Sequence, residues 1–412
     1  MSSAAGTPAA CGHAASHGHE FGFGKPDDSE ATTAYHGGQE WQMLDSFVED
    51  LSVTTNGLGP PPSALSAARE AISSTLHYPP LDGEPHHSEL ANFLWRGDPA
   101  SSEASQRLML GNGASELIDL LIRDAWCELS RTALPQPLCW CPGPSRTQYK
   151  EYERSARSAG FVDLPSGQNA SLACIVNPTN PTGDYLTVHE LRTWIEIVGH
   201  VGRRGHGHDA PPVHVLVDES MLMWRGPDWV SHSLASQHEW LALMANGHNL
   251  HVFIIHSWTK IWACPGLRIG SCICPTRVAA VRLRARQPPW SVSAPALAFL
   301  SAAIRDTSFL QRTWQLTPEW GRAARDALAA AFPAWRLHGP LWTSWLWVDT
   351  GSEPALQAAL SRARSAGLPV RSGAKGYDHP TCFRMAVRSP ETSRALVAAL
   401  RGHGPGSKLC KL

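Results

Sequence analysis

Ser257-Trp258-Thr259-Lys260 is followed, eight residues after the lysine, by Arg268 in Pro265-Gly266-Leu267-Arg268-Ile269-Gly270. The stretch begins at the end of the apolar run 252–255, so its lysine stands where a strand gives way to a loop or helix. A primary amine there can form a Schiff base with an aldehyde. Ser257, Thr259 and Arg268 add hydroxyls and a fixed cation that can hold a phosphate beside it. Read outward from this point, the chain should supply what else a molecule carrying both an aldehyde and a phosphate requires.

Two further stretches do so. Asn177-Pro178-Thr179-Asn180-Pro181-Thr182-Gly183 follows the apolar run 172–176, and the run 213–217 leads into Asp218-Glu219. A buried aspartate at a strand end can pair with a protonated pyridine nitrogen, and an asparagine amide can donate to a phenolic oxygen on the same ring. The spacing of Asn180, Asp218 and Lys260 suits successive strand–helix units of a parallel sheet. Pyridoxal 5′-phosphate (PLP) has the aldehyde, the phosphate, the pyridine nitrogen and the phenolic oxygen together.

This ordered set resembles the class I/II aminotransferase family of fold-type I PLP enzymes, over about 36–400 of the chain. The resemblance implies an α/β fold. A large domain would carry a mostly parallel seven-stranded sheet between helices, and a smaller α+β domain would follow. Ala, Gly, Ser and His without apolar periodicity make 1–30 an expected disordered tail; an arm and first helix over 31–75, the PLP domain over 76–286, the small domain over 287–402 and a tail over 403–412 would follow. Gly113, Ala114 and Ser115, in Gly111-Asn112-Gly113-Ala114-Ser115-Glu116, match the family's phosphate-cradling helix start, where free N–H groups and the helix dipole favour an anion. Tyr149 falls where the family stacks an aromatic on the cofactor ring; ordinary core packing is the alternative. Tyr78, in His77-Tyr78-Pro79, matches a tyrosine that reaches the phosphate of a neighbouring subunit, which implies a homodimer with shared sites.

On the substrate side, Arg384 matches an arginine that grips the α-carboxylate, a task suited to a planar bidentate fork. Arg371 matches a phosphate-binding position of phosphate-handling members. Arg388 is taken as an assistant, with an ordinary solvated arginine as the alternative. His36, Asn56 and the run from Gln287 to Val292 resemble threonine-phosphate decarboxylases; histidinol-phosphate aminotransferases share the cofactor motifs and the two arginines. Both branches point to an amino acid or amine bearing a phosphate. Met221 stands where many aminotransferases have a tyrosine, Thr54 and Gly57 depart from the arm's pattern, and insertions lie near 82–86 and 144–146. These all border the substrate side. A carboxylate held near the ring plane leaves the Cα–H bond to break and gives transamination; a perpendicular carboxylate is lost as carbon dioxide. Transamination is narrowly favoured, with decarboxylation as the alternative and a non-catalytic binding protein as a remote third reading.

Composition narrows the classes. The 412 residues carry a net charge of −1 and are 43% hydrophobic, which argues against a nucleic-acid footprint and against gross disorder. No apolar run approaches the ~20 residues that cross a bilayer. The 10 cysteines contain no C-x-x-C pair, so free thiols in a reducing compartment are expected, and no metal. The first basic residue is Lys25, which argues against a secretory or transit leader; the cytoplasm is expected. Cys410-Lys411-Leu412 resembles a peroxisomal address that would matter only in a eukaryote. His13, His17, His19, His206 and His208 are read as residues of polar, glycine-rich segments. The 17 tryptophans have no functional explanation at this level.

Overall fold

The apolar runs that frame the motifs are consecutive strands of one sheet. In the computed structural model the described residues are 37–402 apart from 43, 45, 99, 133–136, 146, 166–168 and 202–211. The readings at 1–30, His36, His206, His208 and the 403–412 tail, including Cys410-Lys411-Leu412, lie outside them. All the described residues belong to one compact unit, Ala34–Leu412.

The larger sheet contains β1 (Leu108–Gly111), β2 (Cys139–Pro142), β3 (Val162–Asp163), β4 (Leu172–Val176), β5 (Val213–Asp218), β6 (Leu250–Ser257) and β7 (Gly270–Ile273). Its order is β1-β7-β6-β5-β4-β2-β3. Pairing is parallel from β3 to β6, while β7 runs antiparallel to both β6 and β1. This is the expected seven-stranded, mostly parallel sheet.

Continuous apolar strands are buried on both faces, which is why they read as runs rather than alternations. Ala173, Ile175, Val215, Val217, Val252 and Ile254 pack into one core, and Leu172, Cys174, Val176, Leu216, Phe253 and Ile255 into another. The tryptophans find their explanation in the first of these. Trp224, Trp229, Trp240, Trp258, Trp262 and Trp345 all lie within it. Trp258 stacks on His256 (centroids 4.8 Å) and tilts against Trp262 (5.4 Å). These two tryptophans flank Lys260 in sequence, so the short helix Trp258–Ile261 is held by its own large side chains.

A second sheet contains β8 (Arg336–His338), β9 (Trp345–Asp349), β10 (Arg371–Ser372) and β11 (Cys382–Ala386), in the antiparallel order β10-β11-β9-β8. Leu346, Val348, Phe383 and Met385 turn into a core closed by the helices Thr307–Ala331, Glu353–Ser365 and Pro390–Leu400. The proline at 318 suggests a helix starting there. The helix instead begins at Thr307 and carries Pro318 inside it, for 25 residues in all. Its buried face, including Phe309, Thr313, Thr317 and Leu328, supplies packing that outweighs the one lost backbone bond.

Candidate active site

Strand register gathers the motif residues. Val176 lies beside Asp218, and Asp218 beside Ile255, so the carboxyl ends of β4, β5 and β6 share one edge. That edge is where ligands bind in sheets of this type. From it rise Asn180, Asp218 and Lys260.

Asp218 is buried and accepts from the Tyr152 hydroxyl (3.0 Å) and the Ser220 amide (2.8 Å). Burial pushes its carboxyl above the usual range despite those bonds, so a cationic partner is needed to hold it ionised. Tyr152 joins the site without belonging to any of the motifs. Its place three residues after Tyr149 is the available signal. Tyr149 itself lies edge-on to Tyr152, with centroids 6.5 Å apart. Glu219 turns the other way and accepts from Leu234 N (2.9 Å) and from the Ser233 hydroxyl.

The Lys260 ammonium bonds to no described residue, while its carbonyl accepts from Asn56 N (3.0 Å). Burial first, and then Arg384 and Arg268, lower it to about 8. Ser257 and Thr259 join hydroxyls at 2.9 Å, and Ser220 receives the Ser257 amide at 2.7 Å. Arg268, in the left-handed region at φ 59°, donates to Pro265 O (3.1 Å) and reaches Ser115 Oγ (3.5 Å). Ser115 lies in the first turn of the helix Gly113–Leu129. A Cβ at Gly113 would stand 2.5 Å from Arg268 Nη2, so only glycine lets the guanidinium lie across that helix start. Hydroxyls, helix N–H groups and a guanidinium therefore converge beside Lys260.

Asn180 meets the second sheet. Its Oδ1 accepts from Arg384 Nη1 and from the Tyr377 hydroxyl (3.3 Å), and Arg384 Nη1 also reaches Tyr377 Oη (3.1 Å). Two donors on the oxygen fix the amide's orientation. Its NH2 is left without a bond to any described residue. Arg384 Nη2 donates to Ser52 O, while its Nε is buried and has no partner among the described residues. Arg371 is buried beside it, its guanidinium 5.5 Å from the Tyr377 ring.

Arg388 and Asn56 bond within the protein itself. Arg388 is not solvated. It is buried, and it donates to Asp50 O (3.0 Å), Val53 O (3.1 Å) and Thr55 O (2.8 Å) and pairs with Glu49 (2.7 Å). All of that clamps the N-terminal arm. Asn56 is saturated as well, through Ile261 O (2.9 Å), Thr313 Oγ1 (2.8 Å) and Leu58 N (3.0 Å). Tyr78 is 75% exposed and stacks on Trp290 with centroids 4.2 Å apart, so within this chain it does not join the cluster. Met221 is packed in the core.

Residues 149–400 match the model of aminotransferase class I and II. The chain belongs to that family. It is 25% identical, over 90% of its length and 94% of the relative's, to a histidinol-phosphate aminotransferase of Hyphomonas neptunium. Its fold is similar to that of a histidinol-phosphate aminotransferase of Sinorhizobium meliloti in complex with pyridoxal-5′-phosphate, at TM-score 0.65 and 19% identity over 87% of this chain and 90% of that one. It is also similar to L-threonine-O-3-phosphate decarboxylase of Porphyromonas gingivalis, at TM-score 0.64 and 17% identity over 86% and 99%. The family's cofactor fits the residues present. The glycine at 113 keeps the phosphate cradle open, Asn180 has an oriented amide, and among the described residues Asp218 has no cationic partner and the Lys260 amine no bond.

Proposed function

We propose that this protein is a PLP-dependent aminotransferase acting on an amino acid or amine that carries a phosphate. The observation that carries the substrate class is the pair of buried arginines, Arg371 and Arg384, opposed in β10 and β11 on the side that meets Asn180. Two guanidiniums packed side by side in a poorly solvated place are stabilised by an anionic ligand with two charged ends.

Gly113, Ala114, Ser115, Ser257, Thr259 and Arg268 would hold the cofactor phosphate, Asn180 its phenolic oxygen, Asp218 its pyridine nitrogen, and Tyr149 its ring face. When bound there, PLP supplies an electron sink for the bond broken at the substrate Cα. Lys260 Nζ, lowered to about 8 by burial and by Arg384 and Arg268, gives up its own proton more readily than a solvated lysine, and as the neutral amine it would take up the Cα proton and return it. Arg384 orients the carboxylate through its fork, and Arg371 takes the phosphate. Arg388 and Asn56 act one step back, by fixing the arm 50–58 against Arg384 and Lys260.

Decarboxylation is the second reading, favoured by the likeness to the threonine-phosphate decarboxylase fold and by Met221 in place of a tyrosine. A single turnover of the holoenzyme with O-phosphothreonine, O-phosphoserine and histidinol phosphate separates them, following the cofactor spectrum and carbon dioxide together. Amino transfer to the cofactor without carbon dioxide is the expected result. Carbon dioxide release with the starting spectrum restored would make the protein a decarboxylase.

The working form is read as a homodimer. Leu81, Val281 and Trp290 line one open groove and are 74%, 55% and 44% exposed, an apolar surface of the kind that self-association covers. The division into a PLP domain over 76–286 and a small domain over 287–402 is kept as a proposal: each sheet falls within one part, while the helix Ala294–Arg305 packs into the core of the larger sheet. The 8 described cysteines are all free thiols, which favours a reducing compartment and hence the cytoplasm. Among the described residues no helix is long and apolar enough to cross a membrane.

A further inference from the structure

At the opposite edge of the large sheet from Lys260, three metal-ligating side chains meet. His214 is the second residue of β5 and His251 the second of β6, and the parallel register sets them directly side by side. Glu128, in the last turn of the helix Gly113–Leu129, comes down on them. One ligand atom from each lies within 4.8 Å of the other two. The rings of the two histidines are perpendicular, with centroids 5.0 Å apart. We propose that Glu128, His214 and His251 form a binding site for a divalent transition-metal ion, zinc foremost, that is separate from the active site.

Two imidazoles and a carboxylate are a donor set that suits zinc, with a water completing a tetrahedron. The distance from His214 Nε2 to Glu128 Oε2 is 3.2 Å. Zinc bonds of about 2.0 Å in tetrahedral geometry put neighbouring ligand atoms about 3.3 Å apart, so this edge is already formed. The remaining separations, none above 4.8 Å, would close by small turns of the Glu128 and His251 side chains; Glu128 is 26% exposed and leaves the site open to an entering ion. His214 is 1% exposed, and its Nδ1 is buried with no hydrogen-bond partner among the described residues, so protein groups alone leave this imidazole half satisfied.

Arg282 is the competing cation, 2.7 Å from Glu128. It also holds Asp124 through two nitrogens, at 3.1 and 2.8 Å, and so keeps a carboxylate when Glu128 turns to the metal. The site's position gives it a role. The helix whose first turn faces Arg268, the strand that ends in Asp218 and the strand that leads to Lys260 are the three elements that meet here at their far ends. A metal would staple them together.

The test uses the full-length holoenzyme, stripped with a chelator and desalted, then titrated with zinc chloride by calorimetry beside the variants His251→Gln and Glu128→Gln. Neither variant touches the active site, and both residues are partly exposed, so the fold survives; circular dichroism confirms it. One tight site per chain is expected, weakened roughly tenfold or more in each variant. Zinc should also raise the thermal midpoint of the wild type, and that of the variants by less at the same zinc concentration. Wild-type affinity retained in both variants would assign the zinc to other histidines, such as His13, His17 and His19, and overturn the site. Absence of any tight binding to the wild type would overturn it equally.

Discussion

Arg371 and Arg384 are direct cross-strand partners in β10 and β11, both at most 5% exposed, and Arg384 reaches across to Asn180. Opposed residues of an antiparallel pair share a face, and like charges there repel. The pair is tolerable because Tyr377 lies between the two functions: it bonds Arg384 and lies under the guanidinium of Arg371. The two should then fail differently. Arg384→Ala is expected to lower kcat/KM by about two powers of ten for every amino-acid substrate, from loss of a bidentate charge pair. Arg371→Ala should lower it mainly for phosphorylated substrates, so the preference over unphosphorylated analogues collapses. Equal losses on both substrate classes would show that Arg371 has no phosphate to recognise.

Lys260 carries a pH prediction of definite sign. Its amine titrates near 8, whereas an unfolded lysine titrates near ~10.4. Capture of the cofactor aldehyde needs the neutral amine, so its rate on the apoprotein should rise with pH and level off above about 8. Between about 8 and ~10.4 the folded chain binds fewer protons than the unfolded one, so stability rises with pH across that window. The cost of the buried ammonium is thus fully present below about 8. Lys260→Met should abolish the visible absorbance of the lysine-bound cofactor. It should also make the apoprotein melt higher than wild type at pH 7, with the gap narrowing toward pH 10. A gap that is flat across that range would refute the depressed titration.

Tyr152 was legible only once the strands were assembled. Asn180, Asp218, Lys260 and Arg268 announce themselves because their motifs are local, each contained within a few residues of a strand end. The partner of Asp218 comes from a helix 66 positions away and has no motif of its own. The arm contacts of Arg388 and Asn56 are hidden for the same reason: most of their partners are carbonyls and hydroxyls, which any sequence offers everywhere. The sheet was readable because strands buried on both faces are continuously apolar. Pro318 was not, because a helix long enough to bury a whole face overrides one missing donor. Tyr152→Phe is expected to reduce kcat/KM about ten- to a hundredfold, the worth of a buried hydrogen bond to a charged group. An unchanged rate would mean that Ser220 N alone suffices to hold Asp218.

Arg388 should be a residue of stability before it is one of catalysis. Its replacement by Met strips donors from three arm carbonyls and leaves Glu49 unpaired, at a cost on the order of 2–3 kcal/mol. Calorimetry should give a lower melting temperature, and KM should move less than in Arg384→Ala. A variant as stable as wild type but unable to bind phosphorylated substrates would return Arg388 to the substrate.

Tyr78 tests whether sites are built from two chains. It is exposed on this chain and stacks on Trp290, which lines the groove with Leu81 and Val281. If it serves the neighbouring site, Tyr78→Ala and Lys260→Ala should complement when mixed as unfolded chains and refolded together. A mixed dimer then contains one site with both substitutions and one with neither. Random pairing puts half of the dimers in that class, so activity should recover to about one quarter of wild type. The Lys260→Ala homodimer supplies the zero. No recovery above the sum of the two separate variants, with dimers present by sedimentation, would confine Tyr78 to its own chain.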